Sequence, residues 1–214
     1  MIKRLLLSLS LLAFGLSCAA EEGSTPAYEA GKHYDVISPP VRAVDPGRIE
    51  VAEFFWYGCS HCYNFEPMIA QWKKGMAEDV AFRAIPAVWR DNMELHARAY
   101  YTAQALGVLD TMHLALFQAM NVDRKPLASK TEIADLFTAN GVSEEDFLKT
   151  FDSFGINSQV RQGIAVGKAA GLSGTPSMMV NGKYHVTARQ AGGQAGMLKV
   201  VDFLVEKERA AAGS

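Results

Sequence analysis

An apolar run, Ile49 to Trp56, is interrupted only by Glu50 and Glu53 and leads almost directly into Cys59-Ser60-His61-Cys62. A run apolar on both faces asks for a strand in the middle of a sheet, covered from above and below. The residues after it read as helix, with Phe65, Ile69 and Trp72 recurring on one face, so the first cysteine falls at a strand-to-helix junction. Two thiols at this spacing can close a small disulfide and open it again, and a helix N-terminus favours the negative charge of a thiolate. The pattern points to thiol–disulfide exchange rather than to a structural cross-link.

The N-terminus bears on the redox compartment. Lys3 and Arg4 precede a largely apolar stretch, Leu5 to Leu16, and the small residues Ser17-Cys18-Ala19-Ala20. This is the pattern of a secretory signal peptide over residues 1–20, whose twelve-residue apolar core is too short to span a bilayer, which takes about 20 apolar residues. Its removal moves the formal net charge from −2 to −4, so neither form has an electrostatic case for nucleic-acid binding. Cys18 leaves lipid anchoring open as an alternative, although Gly15 stands where a lipobox carries Leu. With the leader gone, only Cys59 and Cys62 of the three cysteines remain, and no disulfide framework can be built from them.

The 214 residues suffice for one domain with a large insertion. Residues 21–33 read as a polar arm, and Tyr34 to Ile37 as an edge strand ended by Ser38-Pro39-Pro40. The first helix is expected to reach about Lys74 with a kink at Pro67, and Val80 to Ala87 is the next strand. From Asp91 to about Ala170 the pattern is helical: Asp91–Leu106, Asp110–Met120, a helix opened by the capping box Ser129-Lys130-Thr131-Glu132, Ser143–Phe151 and Asn157–Ala170. No strand separates these helices, so they form an inserted subdomain rather than alternating strand–helix units. Strand character returns at Ser177–Val180, Asn181-Gly182 signals a tight hairpin into Lys183–Thr187, and Met197–Arg209 closes the chain as an amphipathic helix. Of Met178 and Met179, one is expected to face the core. Met93, Met112 and Met120 read as core, and His33, His96, His113 and His185 as ordinary surface or partly buried residues.

This order resembles an α/β thioredoxin-like fold with an inserted all-helical subdomain, and more closely the DsbA family of periplasmic thiol–disulfide oxidases. The resemblance rests on Glu53-Phe54-Phe55-Trp56-Tyr57-Gly58-Cys59-Ser60-His61-Cys62-Tyr63-Asn64-Phe65-Glu66, Gly174-Thr175-Pro176 and Val180-Asn181-Gly182-Lys183-Tyr184, and it extends over roughly residues 28–209. It implies a thioredoxin-like domain in two parts, 21–88 and 171–214, around a helical subdomain at 89–170. It also implies that Cys59 is the exposed attacking sulfur and Cys62 the buried resolving one. His61 would favour the Cys59 thiolate. Thr175-Pro176 would be a cis peptide facing the pair, leaving the Thr175 backbone free to pair with an extended substrate. Glu53 would be a buried acid serving the proton of Cys62, with Glu66 as a second candidate. The family's companion lysine has no counterpart: Ala84 holds the aligned place and Arg83 lies one position off. Ser60 stands where the family has Pro, and Thr175 where its members often carry Val; both neighbour the sulfurs.

The resemblance implies a monomeric enzyme with no cofactor, acting on reduced exported proteins and reoxidised by a DsbB-like membrane quinone reductase. Two other readings remain open. A disulfide isomerase or reductase is favoured by Thr175, though the chain lacks the N-terminal dimerisation domain of the isomerases. A non-enzymatic copper or metal carrier would use both thiols and His61. A zinc site normally takes four ligands, and haem attachment needs His where Tyr63 stands.

Overall fold

The apolar run folds as strand β2, Ile49–Phe55, with a partner on either side. The structure, a computed structural model, describes residues 28–213; the expected signal peptide and Cys18 lie outside the described residues. Around β2 the chain lays down β1 (Asp35–Val36), α1 (Ser60–Lys73), β3 (Val80–Pro86), five helices α2 (Asp91–Ala105), α3 (Leu109–Asn121), α4 (Lys130–Ala139), α5 (Glu144–Phe151) and α6 (Phe154–Ala169), then β4 (Ser177–Val180), β5 (Tyr184–Thr187) and α7 (Gln194–Ala212). The sheet order is β1-β5-β4-β2-β3, with β3 parallel to β2 and the other neighbours antiparallel.

Alternation along β2 sends Val51 to a core shared with Phe65 and Ile69 of α1 and Val200, Val201 and Leu204 of α7. Ala52 and Phe54 point the other way, onto Ile85, Ala170 and Met179. Helices cover both faces, so Met178 and Met179 are both buried, on opposite sides, where one was expected to face the core. The helical block packs Phe117, Phe137, Phe147 and Phe151 together, and the same core takes in Phe55, Tyr57 and Cys62. Cys62 is therefore buried by the helical block as well as by its own helix.

Local chemistry sets the helix starts. Ser129 Oγ accepts from the Glu132 N–H at 3.2 Å, as a capping box requires, while Glu132 Oε2 reaches back one residue beyond the cap to accept from the Ala128 N–H at 3.1 Å. Ser153 caps α6 in the same manner through the Ile156 N–H, which begins the helix at Phe154, ahead of the expected Asn157. Helix α1 continues through Pro67 to Lys73. Asn181 and Gly182 both take positive φ, +49° and +66°, the geometry of a two-residue hairpin whose twist matches its strands. A side chain at Gly182 would also sit 1.8 Å from the Val41 carbonyl oxygen, so only glycine fits.

The hairpin is tied to α7 through Glu208. Its buried carboxylate accepts from Asn181 Nδ2, from Lys183 Nζ at 2.7 Å and from the Tyr184 hydroxyl at 3.0 Å. Burial pushes its pKa up, but these donors outweigh it and hold the carboxyl below the usual range. Because the folded pKa is depressed, the stabilisation is present above the ordinary carboxylate pKa and is lost as pH falls through the folded one. Glu208→Ala is expected to cost about 2–3 kcal/mol in urea unfolding at pH 7, and less at pH 3.

Candidate active site

The turn from β2 into α1 places Cys59 as the cap of the helix. Its Sγ accepts the Cys62 N–H at 3.3 Å, the position where a side-chain oxygen ordinarily satisfies a free amide. The Cys59 N–H in turn donates to the Trp56 carbonyl at 2.9 Å. At Gly58 a side chain would come within 2.4–2.8 Å of the Trp56 ring, so glycine is required for the indole to fold over the turn. Asn121, at the end of α3, donates to the Tyr57 carbonyl at 2.8 Å and anchors the same turn to the helical block.

The two cysteines are free thiols with opposite environments. Cys59 is partly exposed and Cys62 is wholly buried. A hydrogen bond from the Cys62 thiol is the largest influence on Cys59; the Thr175 side chain and the backbone N–H groups of Cys62 and His61 add to it, partial burial opposes it, and the result is a pKa lowered to about 6. Burial raises the Cys62 thiol far above its ordinary value, reinforced by the charge on Cys59. At neutral pH the reduced pair is therefore one thiolate and one thiol.

The Thr175–Pro176 bond is cis, and the Thr175 carbonyl oxygen lies 3.4 Å from Cys59 Sγ, accepting from the thiol when it is protonated. Ser38–Pro39 is also cis. Ser60, the first residue of α1, is exposed, and so is His61. The backbone of His61 faces the Cys59 sulfur and its carbonyl accepts from Gln194 Nε2 at 2.5 Å.

Glu53 lies on the α1 side of β2, directly opposite Ala84 of β3 and Met178 of β4, and is 1% exposed. Its Oε1 has no hydrogen-bond partner. Burial first, then the neighbouring Glu66, push its pKa well above the ordinary carboxylate value, and Lys73 offsets this in part. Arg83 points to the opposite face, where it pairs with Glu50 at 2.9 Å. The cation that senses Glu53 is thus Lys73, carried by the end of α1; no sequence spacing announces it, because the helix folds back over the strand.

Two histidines expected at the surface or partly buried are instead fully buried. His96 is 1% exposed, accepts from Trp56 Nε1 at 2.9 Å through Nδ1, and so carries its proton on Nε2, which faces the Pro126 and Leu127 carbonyls. It fixes the indole over Gly58, and burial lowers its pKa. His185 is buried in β5, also with a lowered pKa. Among the described residues no three of His, Cys, Asp and Glu are arranged to hold a metal ion.

Two thiols of opposite environment at a helix start, facing a cis-proline loop, define a thiol–disulfide oxidoreductase. A family model described as a DSBA-like thioredoxin domain matches residues 69–201. The chain is 41% identical over 199 residues to the thiol:disulfide interchange protein DsbA of Pseudomonas aeruginosa, covering 93% of this chain and 92% of the relative. The crystal structure of Pseudomonas aeruginosa DsbA superposes with a TM-score of 0.84 at 42% identity, over 87% of this chain and 97% of that one. The oxidoreductase DsbA from Xylella fastidiosa gives 0.80 at 32%, over 86% and 98%. The chain belongs to the DsbA-like thioredoxin domain family.

Thiolate absorbance is expected to titrate with a midpoint near pH 6 in the reduced protein. Thr175→Val, which removes one side-chain hydrogen bond to the sulfur, is expected to raise that midpoint by about one unit. Glu53 gives a second check. A carboxyl whose folded pKa is raised contributes fully below its unfolded pKa, and stability is lost as pH climbs through the folded one. Glu53→Gln is therefore expected to melt higher than the parent at pH 8, by about 2–4 °C for each kcal/mol recovered, with the gap closing at pH 4.

Proposed function

We propose that the chain is a periplasmic disulfide donor, using the Cys59–Cys62 bridge to oxidise reduced exported proteins. The observation that carries this reading is the asymmetry of the two thiols. A Cys59 pKa near 6 stabilises the reduced state, which makes the bridge a ready oxidant of ordinary thiols.

A substrate thiolate attacks Cys59 Sγ, the S–S bond breaks, and the electron pair leaves on Cys62. A second substrate thiolate attacks the substrate sulfur of the mixed disulfide and releases Cys59 as a thiolate. The substrate has lost two electrons and the pair has gained them. Cys62, with its raised pKa, takes a proton in the first step, and Glu53 is the donor, since burial favours the protonated form of its carboxyl. Thr175 supplies a hydrogen bond to the leaving Cys59 thiolate in the second step and, through its free backbone, pairs with the extended substrate. Ser60 keeps a backbone N–H at the first position of α1, and His61 favours the Cys59 thiolate through its backbone N–H.

The reduced pair is returned by a DsbB-like quinone reductase in the membrane, and the enzyme acts as a monomer. No helix among the described residues is long and apolar enough to cross a membrane. Residues 1–20 serve as the export signal, with anchoring through Cys18 as the alternative. Residues 89–170 are read as a helical subdomain inserted between the two thioredoxin-like parts.

Thr175 is the one feature that favours an isomerase or reductase, yet its side chain helps lower the Cys59 pKa, which is the direction of an oxidant. Equilibration with glutathione decides between them. The expected potential lies well above that of a reductase such as thioredoxin, about −270 mV. A value near that figure, or efficient rescue of a scrambled substrate, would overturn the oxidase reading. Cys59→Ala is expected to abolish exchange in either case.

A further inference from the structure

We propose that His113, paired with Glu66, is the solvent-facing end of the proton path that serves Cys62. The inference rests on the role given above to Glu53 and extends it to the surface. His113 touches neither sulfur; it is a positioning residue that acts through the two carboxyls.

A cavity of about 840 Å³ lies beside α1 and is lined by Glu53, Glu66, Lys73, Tyr100, Asp110 and His113. It has room for many waters, each occupying about 30 Å³ of liquid volume. Two carboxylate oxygens in it, Glu53 Oε1 and Glu66 Oε1, are buried without a hydrogen-bond partner. Unpaired acceptors of this kind are costly unless something moves protons or water to them. His113 Nε2 stands 3.2 Å from Glu66 Oε1, within ion-pair reach but off the line of a hydrogen bond, and its side chain is 21% exposed. Glu66 is exposed to the same extent, but its Oε1 is buried, so the ring contacts that buried oxygen on one side and solvent on the other.

The other ring nitrogen is held. Tyr57 OH lies 2.9 Å from His113 Nδ1. Burial raises the pKa of this phenol well above the ordinary value, so it remains protonated. A phenol both donates and accepts. It donates to Nδ1 of the neutral ring and accepts from Nδ1–H of the charged ring, so His113 gains and loses a proton without turning. Phe55, Tyr100 and Phe117 box the ring at centroid distances of 5.1, 5.9 and 5.2 Å. The titratable and charged groups around it are Tyr57 from the β2–α1 turn, Glu66 and Lys73 from α1, Tyr100 from α2, Asp110 from α3, and Glu53 from the sheet, with Arg83 at the cavity edge and its guanidinium held by Glu50 on the other face.

When a substrate thiolate attacks Cys59 Sγ, the S–S bond breaks and the electron pair passes to Cys62. Cys62 takes the proton of Glu53. The Glu53 carboxylate recovers a proton through cavity water and Glu66 from the His113 imidazolium, which takes one from solvent. Reoxidation of the pair runs the same protons outward.

The test is stopped-flow reduction of the oxidised protein by a cysteine peptide, in dilute buffer between pH 6 and 8. His113→Ala is expected to slow the reaction about ten-fold. Added imidazole is expected to restore it, while the parent is indifferent to imidazole and the redox potential is unchanged. His113→Gln, which keeps the hydrogen bonds but carries no proton, tests the same step where the alanine variant folds poorly. It is expected to be equally slow, and to cause no further loss when combined with Glu53→Gln. A parental rate in His113→Gln, or a slow His113→Ala that imidazole does not rescue, overturns the inference. A slow Glu53→Gln beside parental His113 variants removes this inference alone, whereas a parental rate in Glu53→Gln removes the Glu53 reading beneath it.

Discussion

A helix N-terminus leaves amide groups that need an acceptor, and here the acceptor is a sulfur. Cys59 Sγ takes the Cys62 N–H that a serine or aspartate oxygen would take elsewhere. This one contact sets the chemistry of the pair. It presents Cys59 to the positive end of α1, turns Cys62 inward one turn later, and lets the Cys62 thiol donate back to the Cys59 thiolate. The same geometry gives one sulfur a pKa near 6 and drives the other far upward.

The surrounding fold holds that contact in place. β2 delivers the chain to the helix start from the centre of the sheet, and Asn121 and Trp56 fix the turn from two sides. Trp56 depends in turn on His96, whose neutral form is favoured by burial against the opposing pull of the Pro126 and Leu127 carbonyls, which hold its proton on Nε2. The helical insertion thus does more than cover a face of the sheet. Its core closes around Cys62, and its α3 supplies both Asn121 and His113.

Much of the site was legible because it is written in short-range spacing. The cysteine pair, the proline after Thr175 and the glycine of the hairpin are each demanded by local covalent geometry. The capping box at Ser129 was legible for the same reason, whereas the cap at Ser153 was hidden by a first turn of poor helix formers, Phe154 and Gly155. Three functional neighbours gave no signal at all. Lys73 reaches the environment of Glu53, His96 holds Trp56, and His113 meets Tyr57 and Glu66, in each case from an element distant in sequence. Periodicity marks which side of a helix is buried; it does not say which residue of another element it will meet.

The sequence by itself determined the central strand, the strand-to-helix junction that carries the two thiols, and the kind of chemistry that such a pair performs. Those follow from the two-residue side-chain period of a strand and from amide groups left open at a helix start. Only the tertiary structure decided how far apart the two thiols are driven, where Glu53 finds its partners and which histidines are buried. Those are questions of desolvation and of through-space distance, and both come into being only when the elements pack.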